Sequence, residues 1–256
     1  MIRIGLNLTI AALVMQFGCQ PYQSAKTVSE NKPALPHAVQ EGPEITQPIK
    51  LLPIDEAEKD PSLIVFRTKL LKAAKEHDSR VLLSILDSQI VNKSDGGRGI
   101  KEFKDQWKID QPDSRLWETL TTIVSMGGSF RTNDGSKEFC APYIASEWPK
   151  VVDALPKGAD PLDYEAVIDK EVPLRSEPNS TAPVVTRLTY DVVKVNAAAS
   201  TARSSETGST VWVNITTLTG KTGYVLDKSI RGPSDYQACF RKVERNWLMI
   251  ELAARE

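Results

Sequence analysis

The chain has 256 residues, of which 41% are hydrophobic and 25% charged, with a formal net charge of -1. These proportions support a packed core in one or two domains. A net charge so near zero argues against the broad basic field with which a protein gathers on nucleic acid, so no nucleic-acid partner is expected. The three cysteines (positions 19, 140 and 239) and two histidines (37 and 77) stand at no metal-ligand spacing. Neither a Cys/His metal site nor a bound cofactor is therefore implied.

Arg3 precedes an apolar run over residues 4–15 that only Gly5, Asn7 and Thr9 interrupt. A dozen residues is too short to span a bilayer as a helix and fits the apolar core of a secretion signal. The run ends in Gln16-Phe17-Gly18-Cys19. Gly18 before Cys19 resembles a bacterial lipoprotein signal, although Gln16 and Phe17 are not that family's usual residues. The resemblance implies removal of residues 1–18, a lipid on Cys19 and a location on the periplasmic face of the cell envelope. Gln20, where the family's sorting rule looks for Asp, points to the outer membrane. The alternative is a signal cut elsewhere, with Cys19 a bystander. Residues 19–56 carry Pro33, Pro36, Pro43, Pro48 and Pro53 among polar residues and show no periodicity. They read as an unstructured tether, too poor in apolar side chains to offset the entropy of ordering.

The first folded region is expected over residues 57–160. Asp60 and Pro61 form a helix start, followed by Leu63, Val65, Phe66, Leu70, Leu71 and Ala74 at helical spacing. After His77, a second short helix capped by Asp78 or Ser79 carries Val81, Leu82, Ile85 and Leu86. Residues 89–93 read as a short strand. The glycines at 96, 97 and 99 read as a turn, because the spacing of a phosphate loop is missing. A third helix covers residues 100–109. A fourth, capped by Asp113 or Ser114, carries Leu116, Trp117, Leu120, Ile123 and Val124 and stops at Gly127-Gly128. Phe130, Phe139, Tyr143, Ile144 and Trp148 fall in a stretch without a clear period.

Nothing in this region marks a reaction. His77 sits at a helix junction and reads as a surface or capping residue. It also precedes both Cys140 and Cys239, the reverse of the order in a Cys-then-His peptidase, and no G-x-S-x-G elbow occurs. No spacing singles out a carboxylate pair.

From Tyr164 the pattern turns to short runs rich in Val, Ile, Thr and aromatics, over 164–168, 184–188, 192–195, 212–216 and 222–226, with Val172 to Pro178 following the first of them. Such runs with turn residues between them suggest a small barrel or sandwich. Pro173-Leu174-Arg175-Ser176-Glu177-Pro178, then Trp212-Val213-Asn214-Ile215, then Gly220-Lys221-Thr222-Gly223-Tyr224-Val225 resemble the turn, the W-x-x-V strand and the G-x-x-G-Y-V element of the bacterial SH3 family. Glu177 stands where that family usually has Gly, and the polar loop from Ala197 to Thr210 is long. The resemblance implies an SH3-like barrel over 161–232 that binds cell-wall peptide or a protein segment. Arg175, Tyr190, Trp212 and Tyr224 are the candidate ligand-binding residues. Trp212 and Tyr224 also fit a plain structural role as half-buried barrel residues.

Two final strand candidates, residues 236–243 and 247–252, form a hairpin about Glu244-Arg245-Asn246. A hairpin alone is marginal, so residues 233–256 are expected to complete the first domain, with the barrel inserted before them. Helices followed by such a hairpin also resemble the cystatin-like proteins of the NTF2 class. With Cys19 lipidated, Cys140 and Cys239 remain as an even pair in an oxidising compartment, which predicts a disulfide between them. The alternative is two buried free thiols. The expected fold class is thus α+β: a helical α+β domain plus a small SH3-like barrel. The expected function is non-catalytic binding of peptidoglycan or an envelope protein. The alternatives are a structural lipoprotein whose barrel packs on its own first domain, and a hydrolase of envelope glycan or peptide.

Overall fold

In the computed structural model, residues 47–93, 96–200 and 211–254 are described. The expected signal segment, Cys19, most of the expected tether and residues 201–210 of the polar loop lie outside them. Helix α1 (Pro61–Lys75) begins where Asp60 caps it, its carboxylate accepting from the Ser62 amide at 2.9 Å with Pro61 in the first turn. Its inward stripe is Leu63, Leu70, Ala73 and Ala74. His77, at φ 53°, turns the chain and stacks on Trp117 at 5.2 Å. Asp78 then caps α2 (Ser79–Ser84) by accepting from the Val81 amide at 3.0 Å. Strand β1 (Leu86–Val91) follows, so Leu86 belongs to a strand and the expected short strand starts three residues early. Helices α3 (Ile100–Trp107) and α4 (Leu116–Ser125) come next, α3 ending at Lys108 in the left-handed region.

The stretch without a clear period is a hairpin and a helix: β2 (Ser129–Asn133), β3 (Ser136–Ala141) and α5 (Tyr143–Ala154). Its period is hidden because β3 is buried on both faces from Glu138 to Ala141, which erases the alternation of a one-sided strand. Seven strands follow: β4 (Tyr164–Val167), β5 (Val172–Arg175), β6 (Val184–Leu188), β7 (Val192–Val195), β8 (Trp212–Thr217), β9 (Thr222–Leu226) and β10 (Ile230–Arg231). The chain ends with β11 (Tyr236–Val243) and β12 (Asn246–Ala254).

The fold is α+β, with two sheets. The first has the order β1-β12-β11-β3-β2, in which the C-terminal hairpin fills the centre. β12 runs parallel to β1, and β11 lies antiparallel to β3 with Cys239 opposite Cys140. These two cysteines, both fully buried, form a disulfide with a Cα separation of 4.1 Å. Leu70, Phe103, Trp107, Leu120, Phe139, Phe240, Met249 and Leu252 share the core between this sheet and the helices. The start of α1 is tied to the hairpin: Lys242 Nζ donates to Asp60 at 3.0 Å and Trp247 Nε1 donates to Ser62 Oγ at 3.0 Å.

The second sheet is antiparallel, in the order β10-β4-β7-β8-β9-β5-β6. Its core of Val167, Val172, Leu174, Leu188, Val193, Val213, Ile215, Val225 and Ile230 draws on all seven strands and, among the described residues, on no other element. A flat sheet needs a second layer to cover its apolar face. Here Ile230 of β10 and Leu188 of β6, at opposite ends, enter one cluster, so the sheet curls over itself. Among the described residues the hydrogen-bonded ladder ends at β10 and β6, without a pairing that closes it. A third cluster joins the sheets, with Tyr143, Ile144, Trp148 and Val151 of α5 packed against Tyr164, Ala166 and Val192. The tether read as far as residue 56 ends earlier. Lys50 bridges Asp191, the Leu51 amide donates to the Tyr190 carbonyl at 2.9 Å, and Leu51 is buried in the third cluster. Ile49, Leu51 and Ile54 are apolar positions that the surrounding prolines disguise.

Two outcomes follow from these contacts. Intact-mass measurement of residues 20–256 should find both thiols oxidised. Replacing Cys140 and Cys239 by Ala should lower the unfolding free energy by about 2–5 kcal/mol in urea titrations. The Asp60 carboxyl is held at about 2, against an ordinary value of 3.8, first by the Ser62 hydroxyl and also by Lys242. A depressed folded value stabilises the protein above pH 3.8, and that contribution is lost as pH falls through about 2. Asp60→Asn, which keeps a capping oxygen, should be less stable than wild type near neutrality, and the difference should vanish toward pH 2.

Candidate functional site

On β5, Val172 and Leu174 point into the core of the curled sheet, which puts Pro173 and Arg175 on its outer face. On β8, Val213 and Ile215 point in and Trp212 and Asn214 out. The register sets Trp212 opposite Leu226 and places Tyr224 between Asn214 and Arg175. Two glycines make this arrangement possible. Gly220, at φ 85°, turns the β8–β9 hairpin, a backbone region that residues with a side chain adopt only under strain. At Gly223 an added Cβ would lie 2.5 Å from the Arg175 carbonyl oxygen and 3.0 Å from Leu174 Cγ. The missing side chain lets β5 approach β9, and so brings the R-S-x-P turn beside the W-x-x-V strand.

Between them lies a groove of about 510 Å³. Val172, Pro173, Pro178 and Leu226 give it apolar walls, and Trp212, only 7% exposed, also lines it. Asn179, Ser180 and Ser229 add neutral polar groups. Arg175 is the cation of the described lining. Its guanidinium is held in place because Nη1 donates to the Ala182 carbonyl at 2.7 Å. The loop that carries Ala182 is itself braced: the Ser176 amide donates to the Pro183 carbonyl at 3.0 Å and the Thr181 amide to Asn179 Oδ1 at 3.1 Å.

The structure thus brings together two of the four residues singled out from the sequence, Arg175 and Trp212. Tyr224 is half-buried and adjoins Arg175 across the strands, but it does not line the groove. Tyr190 lies elsewhere, at φ 58° in the β6–β7 turn. Its carbonyl receives Leu51. The Tyr143 hydroxyl is pushed up to about 12 by burial and, to a smaller extent, by Tyr190 and Asp169. Tyr190 thus meets residues 49–51 through its backbone, away from the groove. Pro178 and Leu226 are groove residues that the sequence reading passed over. The signal was present, since Leu226 alternates with core Val225 and Pro178 ends the R-S-x-P turn.

Two adjoining clefts share Arg115, Thr119 and Tyr236 and measure about 340 and 290 Å³. Charges of both signs line them, Asp113, Glu118 and Arg231 among them, so they select no one ligand chemistry. Among the described residues no three His, Cys, Asp or Glu side chains converge as a metal site would. No described helix is long and apolar enough to cross a membrane. Comparisons of the chain with protein-family models, with curated proteins and with solved structures find no match.

Gly223→Ala should push β5 away from β9. The expected loss is about 1–3 kcal/mol of stability, read from denaturant midpoints, with altered backbone amide shifts at Leu174 and Arg175.

Proposed function

We propose that this chain is an exported bacterial envelope protein, held to the membrane by a lipid on Cys19. In this reading its curled sheet is an SH3-like module that binds peptidoglycan, or an envelope protein, without catalysing a reaction. The observation that carries the reading is the groove, in which Arg175 of the R-S-x-P turn meets Trp212 of the W-x-x-V strand. Apolar walls, neutral polar groups and one anchored cation suit the holding of a ligand. Export is supported by the apolar N-terminal run ending at Cys19 and by the buried Cys140–Cys239 disulfide, a bond that persists in oxidising compartments.

The seam between α5 and the curled sheet favours a second reading, in which the module is chiefly a structural part of its own chain. That seam uses Tyr164, Ala166 and Val192 of β4 and β7, whereas the groove is built from β5, β8 and β9. Packing at the seam therefore leaves the groove strands for another partner. Co-sedimentation of residues 20–256 with purified peptidoglycan sacculi distinguishes the two. Wild type should pellet at low and physiological salt, and folded Trp212→Ala and Leu226→Ser variants should pellet several-fold less. Failure of the wild type to pellet at any salt would overturn wall binding and leave the structural reading.

A further inference from the structure

Resting on the reading of the groove as a binding face, we infer that Arg175 is its carboxylate receptor. The occupant is then a short peptide segment that presents a carboxylate beside a small apolar side chain. Four features lead there. The described lining carries a guanidinium and no carboxylate, so none of the described lining residues neutralises that charge. Among the described residues, only Nη1 of Arg175 is used, in the bond to the Ala182 carbonyl. The remaining N–H groups of the planar fork are left for a ligand, in the geometry that takes a carboxylate through two parallel bonds. The same Ala182 bond holds the guanidinium before the ligand arrives, which reduces the entropy lost on binding. Finally, Val172, Pro173, Pro178, Trp212 and Leu226 keep the surroundings apolar, where a charge pair is weakened by water less than on an open surface. A volume of about 510 Å³ accommodates a segment of about two or three small residues.

The carboxylate could end the peptide or belong to a side chain, and the test separates these sources. Isotopically labelled residues 20–256 are titrated with N-acetyl-alanyl-alanine, with its C-terminal amide, and with N-acetyl-aspartyl-alanine amide, while NMR follows the Trp212 indole N–H and the Arg175 and Leu226 amides. We expect saturable shifts with the first peptide if a terminal carboxylate is recognised, or with the third if a side-chain carboxylate suffices, and none with the uncharged amide. Arg175→Gln, which keeps a donor toward Ala182, should weaken binding about tenfold or more, and Arg175→Lys should weaken it less. Equal binding of acid and amide, undiminished binding by Arg175→Gln, or no shift with any of the three peptides would overturn the inference. Sacculi that pellet Arg175→Gln as well as wild type would defeat the carboxylate receptor while leaving wall binding intact. Peptide binding without sacculus pelleting would do the reverse.

Discussion

The pairing of β11 with β3 is the contact on which the molecule depends. Before residue 164 the chain has β1, β2, β3 and the helices, but β1 and β3 have no strand between them until β11 and β12 arrive. The core is equally incomplete, because Phe240, Trp247, Met249 and Leu252 come from that last hairpin. Bringing Cys239 opposite Cys140 closes a loop with a sequence separation of 99 residues. The entropy of such a closure grows only logarithmically with length, so a long insertion between paired strands is tolerable. The disulfide at that register removes much of the same entropy from the unfolded chain.

An element inserted into such a loop is held at both of its ends. The curled sheet leaves the first one through Pro161 and returns through Gly232, and α5 fastens it along β4 and β7 with Tyr143, Ile144 and Trp148. Residues 49–51 add a further strap across the β6–β7 turn. Anchoring on one set of strands and a groove on another divide the labour within one small sheet. The division rests on the strand order, which separates β4 from β5 although they are neighbours in sequence.

The groove depends on a single close approach. Because Gly223 has no side chain, the β5 backbone at Arg175 comes beside β9, and the turn that follows β5 is carried over Trp212 and Leu226. The Ala182 carbonyl then fixes Arg175, so one glycine and one backbone oxygen set where the only cation of the described lining points. The G-x-x-G-Y-V element is, in this molecule, a statement about how closely two strands pass.

Where a signal is local, the amino-acid sequence alone determined the outcome. Asp60 with Pro61, and Asp78 before α2, mark helix starts through bonds that span two or three residues. The limits of β6, β7 and β9 follow from turn residues beside short β-branched runs. Tertiary structure decided what depends on neighbours far away in the chain. β3 was illegible because burial on both of its faces removes the alternation that betrays a strand. The packed end of the tether was hidden because Leu51 finds its partners more than 90 residues downstream, at Tyr143 and beyond. Tyr190 and Trp212 were both candidate ligand-binding aromatics, and only the strand order set Trp212 in the groove and Tyr190 in the β6–β7 turn beside Leu51. Local pattern reports which face of an element is apolar; it carries no information on which distant surface that face will meet.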